Sequence, residues 1–337
     1  MSETKYDVVG IGNAIVDIIA QSEDEFLRRE SIHKGSMTLI DADRAKQLFE
    51  KMGPTTTVSG GSVANTAAGI AGLGGKAAYI GKVFKDHLGA GFAHDMKALG
   101  IHYPTIAAET GAPTACCIIL VTPDGQRSMN TFLGASTDFS VGDVDEATIA
   151  ASQIVYLEGY LFDKPPAQEA FYHAVKLAKK HNRKVALSLS DGFCVDRHRA
   201  DFHALLKEGV DILFANEVEA TALYQKNSLE ELLVLAAADC PIVAITRSEK
   251  GSMILSQGKT FKVAAEPVAK VVDTTGAGDA STAGFLYGLT HDFDLPSCGR
   301  VAAICAAEVI SHIGPRPQTN LKKLLESKMP TAFKKAS

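Results

Sequence analysis

The spacing of apolar and polar positions changes period several times along the chain. Residues 7–11 (DVVGI) form a short apolar run, the pattern of a buried strand. A charged stretch follows at 21–30, and a Gly/Thr/Ser segment, TTTVSGGS, then leads into VANTAAGIAGLGG. There Ala64, Ala67, Ala68, Ala71 and Gly72 recur at helical spacing, predicting a helix whose small-residue face approaches its neighbour closely. KAAYIGKVF reads as a strand and GAGFAHDMKALGI as an amphipathic helix. From Ala112, TACCIILVTPDGQRSMNTFLGA reads as two strands around a Pro-Asp-Gly turn, and with the 15–39 region it predicts a β-rich appendage.

After Asp143 the alternation is regular. IVYLEGY, KVALSLS and DILFANEVE read as strands, the last with a turn, separated by a helix around PAQEAFYHAVKLAKKHN and another from Asp201. A helix from Ser228, two strands in PIVAITRSEKGSMILS, a strand and loop in KVVDTTGAGD and closing helices complete the series. Strands alternating with helices predict βαβ units, an α/β fold and a mainly parallel sheet.

Composition narrows the function classes. The length of 337 residues allows one large α/β domain or two ordinary ones. With 46% hydrophobic and 22% charged residues the chain has material for a sizeable core, which excludes wholesale disorder. A net charge of −5 argues against a nucleic-acid or membrane-surface partner. No apolar stretch is long enough to span a bilayer, and the N-terminus lacks the regions of a signal peptide, so a cytoplasmic protein is expected. The six cysteines form no C-x-x-C pair and read as buried reduced thiols; Cys116 and Cys117 would face opposite sides of a strand.

The sharpest local feature is Val271-Val272-Asp273-Thr274-Thr275-Gly276-Ala277-Gly278-Asp279, which runs into ASTAGF. A strand, a Gly-rich turn and a small-residue helix are predicted in succession. Amides at a helix N-terminus lack acceptors and sit at the positive end of the dipole. Gly276 and Gly278 remove side-chain bulk, so an anion can touch those amides; the turn is a plausible anion hole for a phosphoryl group in transit. A carboxylate beside a phosphate is repulsive, a cost that makes sense if Asp279 is a general base accepting a hydroxyl proton. The alternative is an ordinary capping aspartate. A P-loop is excluded because no lysine follows the glycines. Gly10-Ile11-Gly12-Asn13-Ala14-Ile15 opens as a dinucleotide fingerprint but has Ile15 at the third glycine.

DTTGAGDASTAGF closely resembles the C-terminal signature of the PfkB/ribokinase family of sugar and nucleoside kinases. Gly60-Gly61-Ser62-Val63-Ala64-Asn65 with Gly72-Leu73-Gly74 resembles its N-terminal signature, and Asn216-Glu217-Val218-Glu219 its N-x-x-E element. The three fall in the right order and the resemblance covers essentially the whole chain. It implies a single ribokinase-like domain over 1–337: a three-layer α/β/α sandwich with a small β-sheet lid from about 14–40 and 104–137. It also implies ATP as donor, Mg²⁺, and transfer to a primary hydroxyl. By this resemblance Asp279 is the base, and the amides of Gly276, Ala277 and Gly278 are the anion hole. Asn216 and Glu219 would organise Mg²⁺ and phosphates through water; their alternative is a capping box.

A furanose needs paired donors and acceptors on vicinal hydroxyls. Asn13 and Asp17, after the first strand, and Gly61 and Asn65, at a loop-to-helix junction, suit a cis-diol and match the family's sugar-holding positions. Glu158 is a further sugar contact or a charge at a sheet edge. The stretch DEFLRRESIHKGSMTLID and the lid strings Pro113-Thr114-Ala115-Cys116-Cys117 and Gln126-Arg127-Ser128-Met129 look more like adenosine kinases than ribokinases. Met37, Leu39, Met129 and Leu161 would then flank a nucleobase, or form lid core. Arg127 would reach the phosphates on closure, or be solvated. Thr246, Gly251 and Thr275 would contact the donor, although Thr246-Arg247-Ser248 departs from the usual Thr-x-Gly. Some members bind a monovalent cation, and Asp273 and Thr275 match part of that site, which makes K⁺ a further expectation. The expected activity is ATP-dependent phosphorylation of a nucleoside 5′-hydroxyl, adenosine first. The alternatives are a ribose or fructose kinase, an inosine or guanosine kinase, and a non-catalytic nucleoside-binding protein. Small molecules are the expected partners, and the chain would be a monomer or homodimer.

Overall fold

Short apolar runs separated by amphipathic helices can bury both faces only by lining up side by side. The computed structural model describes residues 4–330, so the lysine-rich end of the chain lies outside the described residues. Its strands are β1 (Tyr6–Ile11), β2 (Ile15–Gln21), β3 (Met37–Leu39), β4 (Thr55–Gly60), β5 (Ala77–Ile80), β6 (Ala115–Val121), β7 (Arg127–Phe132), β8 (Ser152–Glu158), β9 (Lys184–Ser188), β10 (Ile212–Asn216), β11 (Ile242–Thr246), β12 (Ser252–Ser256) and β13 (Lys259–Val263).

Eight of them form one sheet in the order β13-β12-β11-β10-β9-β8-β1-β5. From β5 to β11 every neighbouring pair is parallel, and β12 and β13 close one edge antiparallel. Alternate residues serve opposite cores. Val9, Ile11, Val155, Leu157, Val185 and Leu187 share one core with helices Pro165–Lys180 and Gly192–Gly209. Val8, Ile154, Tyr156, Ala186 and Ile212 face the other, with helices Ser62–Gly72, Ala277–Thr290 and Leu295–Ile310. This is the expected three-layer α/β/α arrangement, ribokinase-like in its mainly parallel sheet.

The second sheet runs β3-β7-β6-β2-β4. Its β4 comes from the Thr-rich segment outside the two stretches expected to build the appendage; the first three residues are exposed, so no alternation marks it as a strand. Cys116, Ile118 and Leu120 point to Leu48 on helix Ala42–Lys51, whereas Cys117, Ile119 and Val121 point the other way. All six cysteines are buried and unpaired.

Three local expectations are corrected. No strand forms before the Gly-rich turn: Val271 and Val272 are exposed, and the Val272 amide donates to the Ile310 carbonyl at 2.8 Å, outside any sheet. The helix expected from Asp201 begins at Gly192, capped by Asp191, and kinks at His198. The turn after β10 becomes helix Glu217–Tyr224.

Helix Ser62–Gly72 meets helix Ala277–Thr290 at Gly69, on a different face from the predicted small-residue one of Ala64, Ala67, Ala68, Ala71 and Gly72. A Cβ on Gly69 would stand 2.7 Å from the Ala283 Cβ. That close approach brings the first turns of the two helices together.

Candidate active site

A cavity of about 420 Å³ opens beyond the carboxyl ends of β9, β10 and β11, whose last residues Ser188, Asn216 and Thr246 line it. Crevices at this end of a parallel sheet are the usual ligand sites of open α/β folds. The cavity runs between the large sheet and the inner face of the small one, which contributes Ile15, Asp17, Cys117, Ile119, Met129 and Thr131.

Asp279 sits in the first turn of helix Ala277–Thr290, on the cavity wall. Ser62 Oγ donates to its Oδ1 at 2.7 Å and Asn65 Nδ2 to its Oδ2 at 3.0 Å. Burial pushes its carboxyl up, and these two donors oppose the shift. Each oxygen keeps an acceptor site, so the group can take a proton from a bound hydroxyl.

The Gly-rich turn beside it is open where an anion would enter. Gly276 has φ +77°, and a Cβ there would lie 2.6 Å from the Pro315 Cβ, so only glycine fits. A Cβ on Gly278 would meet nothing within 4 Å. Gly276, Ala277 and Gly278 all line the cavity, but the Ala277 amide donates to the Thr274 carbonyl at 3.2 Å and so is engaged in the turn. The amides of Gly278 and Asp279 stand in the first helical turn, where no intrahelical acceptor reaches.

At the far end, Asn216 and Glu219 form a closed capping box. Asn216 Oδ1 accepts from the Glu219 amide at 2.8 Å, and the Glu219 carboxylate accepts from the Asn216 amide at 3.0 Å. Both residues still line the cavity. Burial, with Asp191 adding to it, pushes the Glu219 carboxyl up to about 7 while the Asn216 amide pulls it down. Among the described residues no cluster of three or more His, Cys, Asp or Glu forms a metal cage. A hydrated Mg²⁺ that takes its remaining ligands from phosphates fits such a donor set.

Asp17, Gly61, Asn65 and Met129 also line the cavity. Burial pushes the Asp17 carboxyl up to about 7, with Arg316 and Arg127 pulling it down and Asp279 pushing it further up. A Cβ on Gly61 would meet the Asn13 carbonyl at 2.3 Å, and its φ of +95° requires glycine where β4 turns into the helix.

Other expected residues are placed elsewhere. Asn13 and Glu158 face each other in the interior: Glu158 accepts from Asn13 N at 3.2 Å, Asn13 Nδ2 at 3.1 Å and Val63 N at 3.3 Å. Neither is on the cavity wall. Leu161 belongs to the core beneath the large sheet. Met37 and Leu39 lie exposed on β3, the edge strand of the small sheet. Gly251 serves the turn into β12, where a Cβ would meet the Val263 carbonyl at 2.0 Å; Thr246 alone of that region reaches the cavity.

Arg127 is neither solvated nor on the cavity wall. It crosses from β7 to Asp273, with Nη2 2.8 Å from Oδ2, both side chains 7% exposed. That contact lacks hydrogen-bond alignment, and Nη1 has no partner. Asp273 also accepts from Thr275 N, Thr275 Oγ1 and Gly314 N at 3.1, 2.8 and 2.8 Å. A carboxylate so engaged, with a guanidinium against it, does not fit a K⁺ ligand, and Thr275 lines the cavity as a turn residue.

Residues 9–322 match the pfkB family carbohydrate kinase description. The chain belongs to the pfkB family of carbohydrate kinases. The structure of "adenosine kinase from Sinorhizobium meliloti" is 48% identical to it, with a TM-score of 0.89, covering 96% of this chain and 100% of that one. A "probable sugar kinase protein from Rhizobium etli CFN 42" is also 48% identical, with a TM-score of 0.90, covering 96% of this chain and 99% of that one. The adenosine kinase of Saccharomyces cerevisiae is 27% identical over 330 residues, 91% of this chain and 96% of the relative.

Within this pfkB kinase, several cavity residues escaped the reading of the sequence. Ser62 stands inside the N-terminal signature, as the first residue of its helix, and was visible there as a donor beside Asn65. Ile15, Cys117 and Ile119 follow from strand alternation once Asp17 and Met129 are taken to face the cavity, because Asp17 pairs with Cys117 and Ile119 with Met129. Tyr156, Tyr160, Phe214 and Phe285 carried no local signal, since nothing in the chain says which aromatic of a buried run meets a cleft. Among the described residues no helix is long and apolar enough to cross a membrane.

Proposed function

We propose that the chain is an ATP-dependent nucleoside kinase that transfers a phosphoryl group to a 5′-hydroxyl, with adenosine as the acceptor. The observation that carries this reading is Asp279: a cavity-lining carboxylate with free acceptor sites, next to the open Gly278 amide at a helix start.

The acceptor hydroxyl would donate to Asp279, which takes the proton as the oxygen attacks phosphorus. The Gly278 and Asp279 amides would bind the phosphoryl oxygens as their charge grows. Asn216 and Glu219 would hold the water shell of Mg²⁺, whose charge offsets that of the phosphates. Arg127, with a buried guanidinium nitrogen lacking a partner, supports a contact to donor phosphate after leaving Asp273. Asp17 and Asn65 would hold the ribose diol. The apolar inner face of the small sheet, Ile15, Cys117, Ile119 and Met129, supports a flat nucleobase over a bare sugar. The likeness to a probable sugar kinase at the same identity keeps a sugar acceptor as the second reading.

A panel of adenosine, inosine, guanosine, ribose and fructose with ATP and Mg²⁺ tests the acceptor. Adenosine should have the highest kcat/KM; a free sugar ahead of every nucleoside would refute the assignment. Asp279→Asn should lower kcat by about 10²- to 10⁴-fold while nucleoside affinity stays within about threefold.

A further inference from the structure

Arg316 is not among the cavity walls and has no part in the steps above. It follows Pro315, the residue against which Gly276 closes. Its Nε donates to Asn65 Oδ1 at 3.3 Å, and Asn65 Nδ2 donates in turn to Asp279 Oδ2 at 3.0 Å. Its Nη2 is buried without a partner.

A guanidinium carries five donors and no acceptor. It therefore dictates which end of the Asn65 amide it meets, namely the oxygen. The NH₂ group is the end left for Asp279. With the amide turned over, its oxygen would face the carboxylate, setting two acceptors against each other and leaving two donor groups opposed on the Arg316 side.

We propose that Arg316 is a positioning residue that locks the orientation of the Asn65 amide, so that Asp279 is held ionised and aimed at the acceptor hydroxyl. The proposal rests on the assignment of Asp279 as the base. The other titratable groups facing Asp279 are Asp17 from β2, Tyr156 and Glu158 from β8, and Tyr160 just after it. None of them can orient Asn65 as a pure donor does. Burial lowers the Arg316 pKa, and Asp17 and Asp95 oppose that shift.

The test reads kcat against pH at saturating nucleoside, where Asp17 is already engaged by ligand. Losing the Asn65 donor removes a contact that favours the Asp279 carboxylate, so its pKa rises and the acid limb moves to higher pH. Arg316→Met should lower kcat at saturating nucleoside about tenfold and move that limb up by about one pH unit. Arg316→Lys, also a pure donor, should restore most of both. In an Asn65→Leu background, Arg316→Met should cost less than about twofold more, because the two act in one chain. An unmoved limb in folded Arg316→Met, or full multiplicative loss in the Asn65→Leu background, overturns the proposal. If neither Arg316→Met nor Arg316→Gln folds, Arg316 is a structural residue and the proposal fails. A fully active Asp279→Asn would instead remove the base assignment itself, whereas inactive Asp279→Asn with an unmoved Arg316→Met limb removes the role of Arg316 alone.

Discussion

Two buried carboxyls, Asp17 and Glu158, are both pushed up to about 7 by burial, yet their surroundings separate their roles. Glu158 accepts three hydrogen bonds from Asn13 and Val63 and closes the junction of β1 with helix Ser62–Gly72. Asp17 faces the cavity and carries the charge that a diol would engage. Hydroxyl donors favour the ionised form, so nucleoside binding should pull the Asp17 pKa down and expel its proton. The sign follows: at about pH 6.5 free Asp17 is mostly protonated, the complex is not, and binding releases protons. Calorimetry in buffers of different ionisation enthalpy should show this release, and Asp17→Asn should abolish most of it; proton uptake, or release unchanged in Asp17→Asn, would contradict the assignment. Glu158→Gln should leave nucleoside KM within about threefold but cost about 2 kcal/mol of stability in urea denaturation, since one amide end then opposes the Asn13 donor.

The helices that carry Asn65 and Asp279 are joined by the Ser62 and Asn65 hydrogen bonds to Asp279 and, deeper in, by the close approach of Gly69 to Ala283. Gly69→Ala places a methyl group into occupied space and should destabilise the fold by about 1–3 kcal/mol, less the helix propensity it gains. Because the separating helices carry Asp279, the proposed base, and its hydrogen-bond partner Asn65, kcat should fall as well; a stabilised variant with full turnover would show that the pair tolerates spreading. The turn at Gly276 was legible in its own glycines, because a positive φ demands a residue type; the contact at Gly69 was not, because the small residues that spacing picks out, Ala64, Ala67, Ala68 and Ala71, lie on another face of the helix. The placement of Met37, Leu39 and Leu161 was not legible. An apolar residue satisfies a core, an edge or a ligand wall equally well, and only the pairing of β2, β6 and β7 selects which face meets the cavity. The strand read before the Gly-rich turn fails for a related reason: two valines resemble a strand, but β13 already holds the sheet edge. Arg316 lay in a stretch with no pattern, and its partner Asn65 is 251 positions away in the chain.

At the scale of the molecule, the two sheets enclose the cavity from opposite sides, and Arg127 with Asp273 joins the small sheet to the turn that carries the amides. The pair is buried, so removing one partner strands the other charge away from water. Asp273 keeps three other donors, from Thr275 and Gly314, which limits that cost. Arg127→Ala should therefore loosen the small sheet without unfolding the large one, whose helices cover both faces. Hydrogen exchange resolves the two. Adenosine with a non-hydrolysable ATP analogue should slow exchange in β2, β6 and β7 by about tenfold or more, through contacts that exist only when the sheets enclose both ligands, while β8 to β11 change little. In Arg127→Ala the same strands should exchange faster without ligand and lose most of the gain on adding the analogue, alongside a higher KM for ATP. Equal protection of both sheets by ligand would mean that the cavity is already rigid and that the small sheet does not close on its contents.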